Sequence, residues 1–297
     1  YAKYLKDTKA SACFISDQFS TQDAPKSLVL LLCKDPEISF LKAVSALHPE
    51  HKISRSISPQ AAISEGVALG NNIHIGAFST IEEHSSVGDE TEIFASVNIG
   101  RNVSIGQNCR IYPNVVIYDN TQIGNNVTIH SGAIIAADGF GYKYRNNVHV
   151  KVPHIGNVVI ADHVEIGAST TIDRGALDNT EIRDGAILDN QIQIAHNVIV
   201  GENTAMAACS VIAGSTIIGK NCTIAGLVGI NGHITVVDNC VFTGMAMVTK
   251  DISSPGVYSS GMPVAPNTEW NKTNARVRRL DSLTKRVKEL EKLLSNN

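Results

Sequence analysis

The sequence predicts a mainly β protein: a parallel β-helix of hexapeptide repeats, with a small α/β unit before it and a helical extension after it. Three observations carry that expectation. Every sixth residue from Ile57 to Ile135 is aliphatic, and in a chain that is 43% hydrophobic one preset register does this by chance about once in 10^5. Aromatic residues are only 5% of the 297, too few for a core built around large rings, whereas abundant Ile, Val, Ala and Gly suit thin repetitive packing. A six-residue period fits neither a helix nor a plain strand. It fits short strands joined by corners, whose stacked coils bury a narrow aliphatic column.

Residues 1–52 lack the beat. There "ASACFIS" and "SLVLLLC" read as short buried strands, and "PEISFLKAVSAL" as a helix with Pro36 and Glu37 at its start and Ile38, Leu41 and Val44 on its apolar side. The chain opens on Tyr1 rather than Met, so the expectation is that this α/β unit is truncated. Residues 53–250 form the β-helix. Glycine often follows the aliphatic residue, as at Gly70 and Gly106, where a tight corner would want it. The beat stops from Ala136 to Pro153, returns at Ile160, and after a four-residue phase shift runs from Ile182 to Val248. Both interruptions read as insertions, which in solenoids collect on the working face.

Residues 251–297 begin as a loop with Pro255, Pro263 and Pro266 and continue as a helix. Its Leu280, Leu283, Val287, Leu290 and Leu294 are spaced as a coiled-coil seam, which either packs on its own subunit or associates with copies of itself. Between 272 and 292 this helix carries eight Lys or Arg against Asp281, Glu289 and Glu291, a net of +5 in a chain whose total is -3. A basic helix on an acidic body predicts an acidic partner, or else a solvated charged face.

The longest apolar run, Ser27 to Cys33, is too short to cross a bilayer, and no signal-peptide pattern opens the chain. Six cysteines without a CxxC pair point to a reducing compartment, the cytoplasm. No nucleic-acid partner is expected. His149 and His154, five apart in the first insertion, could invite a metal, but no third ligand is evident and none is expected. His196, in "DNQIQIAHN", follows the inward Ile194 by two residues, which puts it near a corner, facing outward.

The beat resembles that of the hexapeptide acyltransferases, whose β-helix is left-handed and takes three hexapeptides per triangular coil. On that resemblance residues eighteen apart stack at about 4.8 Å. Gly214 then lies one coil above His196 with no side chain to block access, and His233 lies close to two coils up on nearly the same edge. Thr204, Cys222 and Cys240 form an inward stack. Two histidines and a bare backbone on one edge supply a base and a possible oxyanion donor.

"DNQIQIAHN", "ADGFGY", "TIDRGALDNT", "INGHI", "TGMAMV" and "PGVYSSGMP" together resemble the UDP-3-O-(3-hydroxyacyl)glucosamine N-acyltransferases of lipid A biosynthesis in Gram-negative bacteria, over nearly the whole chain. That family implies transfer of a 3-hydroxyacyl chain from acyl carrier protein to the 2-amino group of UDP-3-O-acylglucosamine, without a cofactor, in a homotrimer with clefts between subunits. It implies His196 as general base, Gly214 N–H as oxyanion donor, His233 as an assisting group and Asp189 as the residue orienting the imidazole. Tyr1 would stack on uracil, and Asn190 and Gln193 would contact substrate. Met245 and Met247 would line the acyl channel, and Arg276, Arg278, Arg279, Lys285 and Arg286 would receive the carrier protein. Two alternatives stay open: the related UDP-N-acetylglucosamine O-acyltransferase, which lacks the N-terminal unit, and a non-catalytic or metal-binding hexapeptide protein.

Overall fold

The computed structural model describes residues 2–16, 18, 24–49, 53–261 and 263–295, and the chain divides into a unit of Tyr1–Ser54 and one of Arg55–Asn297. In the first unit a 3-10 helix, Ala2–Asp7, precedes two parallel strands, Ala12–Ile15 and Val29–Leu32, and the helix α1, Pro36–Leu47. Helix α1 starts where the Asp35 carboxylate accepts the Ile38 N–H at 3.0 Å and Pro36 takes the first helical position, which has no intrahelical acceptor for an N–H anyway. Helix α1 has no buried residue, and Ile38, Leu41 and Val44, expected on its apolar side, remain exposed. Ile15 and Leu28 are buried, but Val29, Leu31 and Leu32 are exposed, so the leucine run is not the buried strand its composition suggested.

The second unit is a parallel β-solenoid with three faces. The first face, which begins with Ala62–Ile63, and the third, which begins with His74–Ile75, have ten strands each; the second, which begins with Ala68–Leu69, has nine. Most strands are two residues long. The second residue points inward and stacks on its equivalent one coil away, as Ile105 does on Val87 and Ile123. Ile75, Ile93, Ile111 and Ile129 are fully buried in this column, each worth roughly 1.5–3 kcal/mol relative to exposure. Two residues before the column sits a second inward position, which tolerates Ser or Thr because each hydroxyl is paired. Thr204, for example, donates to the Gly219 carbonyl at 2.8 Å and accepts the Cys222 N–H at 3.0 Å. Cys222 and Cys240 continue that inward stack and are buried.

Most corners contain one residue in the left-handed region, often Asn, as at Asn102, Asn108 and Asn114, since Asn tolerates that conformation better than other non-glycine residues. The glycines that follow the aliphatic column are not the left-handed residues. At Gly106 a Cβ would lie 2.5 Å from the Gly124 carbonyl oxygen of the next coil, so glycine is needed there for close stacking and not for backbone freedom.

Both insertions leave the solenoid at the edge between the first and second faces. The first contains an antiparallel hairpin, Tyr142–Arg145 with Val148–Lys151, turned by Asn146 and Asn147 at φ 49° and 62°, the backbone a two-residue hairpin demands. The stacking then resumes undisturbed: Ile123 pairs with Ile160, and Ile160 with Ile182.

The expected single C-terminal helix is two, α2 (Asn267–Val277) and α3 (Leu280–Ser295), with the break at Arg278 and Arg279. Neither helix has a buried residue. The stripe Leu280, Leu283, Val287, Leu290 and Leu294 is therefore not packed on its own subunit. Among the described residues no helix is long and apolar enough to cross a membrane.

Candidate functional site

His196 lies at the corner between the first-face strand Gln193–Ile194 and the second-face strand Ile199–Val200. Its ring rests on Gly214, one coil on, where a Cβ would lie 2.7 Å from Nε2 and 2.8 Å from Cε1. Glycine is what leaves room for the imidazole. The Gly214 carbonyl accepts the His233 N–H at 3.0 Å, while the Gly214 N–H meets no acceptor among the described residues. An imidazole nitrogen and a free backbone donor thus share one edge.

The hydrogen bonds determine which nitrogen of His196 is the base. Nδ1 is 3.0 Å from Asn197 Oδ1, and that same atom accepts the Ala176 N–H at 2.9 Å. An atom that accepts a backbone N–H is the amide oxygen, so Nδ1 carries the proton and Nε2 presents its lone pair. Asn197 is itself held by a bond from its N–H to Thr180 Oγ1 at 2.8 Å. Ala176 and Thr180 belong to the second insertion and the strand it leads into, so that insertion braces the residue that orients the base.

The first insertion supplies His154. Its ring is 5.4 Å from that of His196, at 76°, and the side chain is buried. Gly139 lies against both, for a Cβ there would fall 2.9 Å from His196 Cβ and 3.2 Å from His154 Nε2. Below His196 on the first face, Asp173 accepts from Gln193 Nε2 at 3.0 Å, and Gln193 Oε1 accepts from Thr171 Oγ1. Burial pushes the Asp173 carboxyl above its ordinary range, and the Gln193 bond and the two imidazoles pull the other way. Where the first insertion leaves the face, Lys151 pairs with Asp138 and holds its carboxyl low.

The structure places the other expected site residues on contacts of their own. Asp189 does not orient the imidazole: its carboxylate accepts the N–H groups of Asn190 and Ala208 at 2.7 and 3.0 Å, on the corner between the third and first faces. One strand separates that corner from the one His196 occupies. Asn190 Oδ1 is spent on the Ala168 N–H at 2.7 Å. Gln193 stands in the site but uses both ends of its amide on Thr171 and Asp173. His233 is exposed in a left-handed corner position and makes no hydrogen bond or ring contact to His196 among the described residues; its link to the site is its backbone. His149 packs on Tyr144 while His154 turns inward, so the two are not a ligand pair. Among the described residues no group of three potential metal ligands occurs.

Met245, on the corner between the third and first faces, and Met247, on the first face, are exposed, as are Arg276, Arg278, Arg279, Lys285 and Arg286. Tyr1 lies outside the described residues. A cleft of about 250 Å³ on the first face, bounded by Thr80, Asn98, Val116 and Tyr118, lies several coils before His196 and contains none of the site residues.

Residues 102–137 match the bacterial transferase hexapeptide family, described by six repeats. A curated UDP-3-O-acylglucosamine N-acyltransferase from Colwellia psychrerythraea is 63% identical over 300 residues, which span 100% of this chain and 85% of that protein. Its counterpart from Coxiella burnetii is 43% identical over 99% of this chain and 85% of its own length. Among solved structures, an Arabidopsis UDP-N-acetylglucosamine acyltransferase covers 74% of this chain and 77% of its own with a TM-score of 0.62 at 20% identity, a likeness of fold. One from Bacteroides fragilis covers 71% and 73% with a TM-score of 0.54 at 26% identity.

Proposed function

Because the chain belongs to the UDP-3-O-acylglucosamine N-acyltransferase family, we propose that it transfers a 3-hydroxyacyl group from acyl carrier protein to the 2-amino group of UDP-3-O-acylglucosamine, with His196 as general base. The observation that carries this reading is the Asn197-fixed tautomer, which leaves His196 Nε2 unprotonated beside the free N–H of Gly214. The acceptor amine attacks the thioester carbonyl and passes a proton to Nε2. The Gly214 N–H donates to the oxyanion, the C–S bond breaks, and the leaving thiolate takes the proton back from the imidazolium. A positioned base contributes about 10^2 to 10^4 in rate and an oxyanion donor about 10^2 to 10^3. Thioester aminolysis by this route calls for no metal and no nucleophilic cysteine.

The remaining assignments rest on the placement of the described residues and, for Tyr1, on likeness to the family alone. Met245 and Met247 offer flexible apolar contacts for the acyl chain on exposed positions at and beside the first face. His233 assists from the same edge. Tyr1, in the N-terminal α/β unit, serves the uridine. The unburied stripe of α3 suits self-association in a homotrimer, with the active sites in clefts between subunits. Arg276, Arg278, Arg279, Lys285 and Arg286 present charge complementary to an acidic carrier protein, and the enzyme works in the cytoplasm with that donor.

The deciding assay supplies 3-hydroxyacyl carrier protein with two UDP-sugars, one presenting a free 2-amine and the other a 3-hydroxyl. Transfer to the amine, lost in His196→Ala at an unchanged melting temperature, is the expected result. Transfer to the hydroxyl alone would establish O-acylation instead, and full activity in His196→Ala would remove the histidine from the mechanism.

A further inference from the structure

His154 has no part in the proton transfer above, yet it is 7% exposed and its Nε2 is a buried nitrogen with no hydrogen-bond partner among the described residues. Such an atom is a cost to folding and calls for a reason. Nδ1 lies 3.0 Å from the Val152 carbonyl. A carbonyl only accepts, so Nδ1 carries the hydrogen and Nε2 is a bare lone pair. That nitrogen lies near where the two rings approach, since a single Cβ on Gly139 would be 3.2 Å from it and 3.1 Å from His196 Cδ2. At Gly141 a Cβ would strike His154 Cε1 at 2.5 Å. The first insertion therefore presses the ring against His196 with two residues that lack side chains.

We infer that His154 is a positioning residue for the base: it seats the His196 imidazole edge-to-face and turns its own unprotonated Nε2 toward the ring that becomes a cation during acyl transfer. The inference rests on His196 being that base. The charged groups around the pair are otherwise engaged. Asp173 is bonded to Gln193, Asp138 to Lys151, and Arg174 donates to the Gly156 carbonyl at 2.8 Å and to Asn157 Oδ1. The direct hydrogen-bond partner of His196, Asn197, is a neutral amide. The imidazolium is thus met by the oriented Asn197 amide and by the Asp173 carboxyl, which interacts with both imidazoles.

Two substitutions separate anchoring from electrostatics. His154→Asn keeps a donor for the Val152 carbonyl but removes the acceptor at the ring junction, whereas His154→Gln carries an amide oxygen to the place of Nε2. With the carrier-protein donor and the amine acceptor, His154→Asn should lower kcat roughly tenfold with KM little changed, and move the acid limb of the pH–rate profile to lower pH by about one unit. His154→Gln should recover most of both. Nitrogen-edited NMR of His196 in the unliganded protein reads the same displacement without turnover. A wild-type protein that transfers no acyl group would sink the proposed function. A His196 titration indifferent to both folded variants would overturn the present inference.

Discussion

Replacing Gly214 by alanine adds a methyl group 2.7 Å from His196 Nε2 and 2.8 Å from Cε1. Carbon and nitrogen need about 3.5 Å, so the ring must retreat by roughly 0.7 to 1 Å. It has little freedom to do so, because Nδ1 is tied to Asn197 at 3.0 Å and the His154 ring stands beside it. A retreat of that size breaks the Asn197 bond, which loses its meaning beyond about 3.5 Å, and with it the tautomer that exposes Nε2. Misplacing a catalytic group by about 1 Å costs on the order of 10^2 in rate. Gly214→Ala should therefore lower kcat about a hundredfold. Its backbone lies outside the left-handed region, so alanine is not strained there and the melting temperature should move by only a few degrees. Initial rates of acyl transfer, with thermal unfolding in parallel, check both halves. A variant with kcat within about threefold of wild type would show that the imidazole does not rest on this glycine.

Asp173→Asn should stabilise the protein and slow it. Burial raises the Asp173 carboxyl, so its contribution to stability is present at acid pH and is lost as pH rises through the raised value; asparagine keeps an acceptor for Gln193 but removes the charge. The gap in melting temperature between variant and wild type should widen from about pH 4 to about pH 8, and a variant that melts lower at neutral pH would contradict this account. The thiols of Cys109, Cys222 and Cys240 are likewise pushed up by burial from 9.0. The unfolded chain then releases protons that the folded one keeps, and stability should fall as pH rises above about 9. Substituting Ala at Cys222 should flatten that slope in urea titrations across alkaline pH; an unchanged slope would acquit the thiol.

The β-helix was legible because its inward column is chemically uniform and the period survives in plain counting from Ile57 to Ile135. The pairing of His196 with Gly214 was legible once the family resemblance added three hexapeptides per coil, since eighteen residues separate the two. His154 was not. It stands in the first insertion, where counting no longer gives position, and only the hairpin's return path brings it to His196. Asp189, whose role came from the family resemblance, stands seven residues upstream, but a strand intervenes and the carboxylate closes a different corner. Asn197 could have been found. An amide next to the base, at the left-handed corner position, is placed where its side chain can turn back on its neighbour.

Asn197 Oδ1 joins Ala176 across 21 residues, and Thr171 meets Gln193 across 22, where an undisturbed coil would need 18, as between Ile105 and Ile123. Those four surplus residues are a length, not a chemical group, yet they deliver the N–H that tells the amide oxygen from its nitrogen and so decides which end of the imidazole is bare. Excising them would restore the eighteen-residue coil and leave His196 and Asn197 in the sequence, while the amide lost the N–H that fixes it and became free to flip.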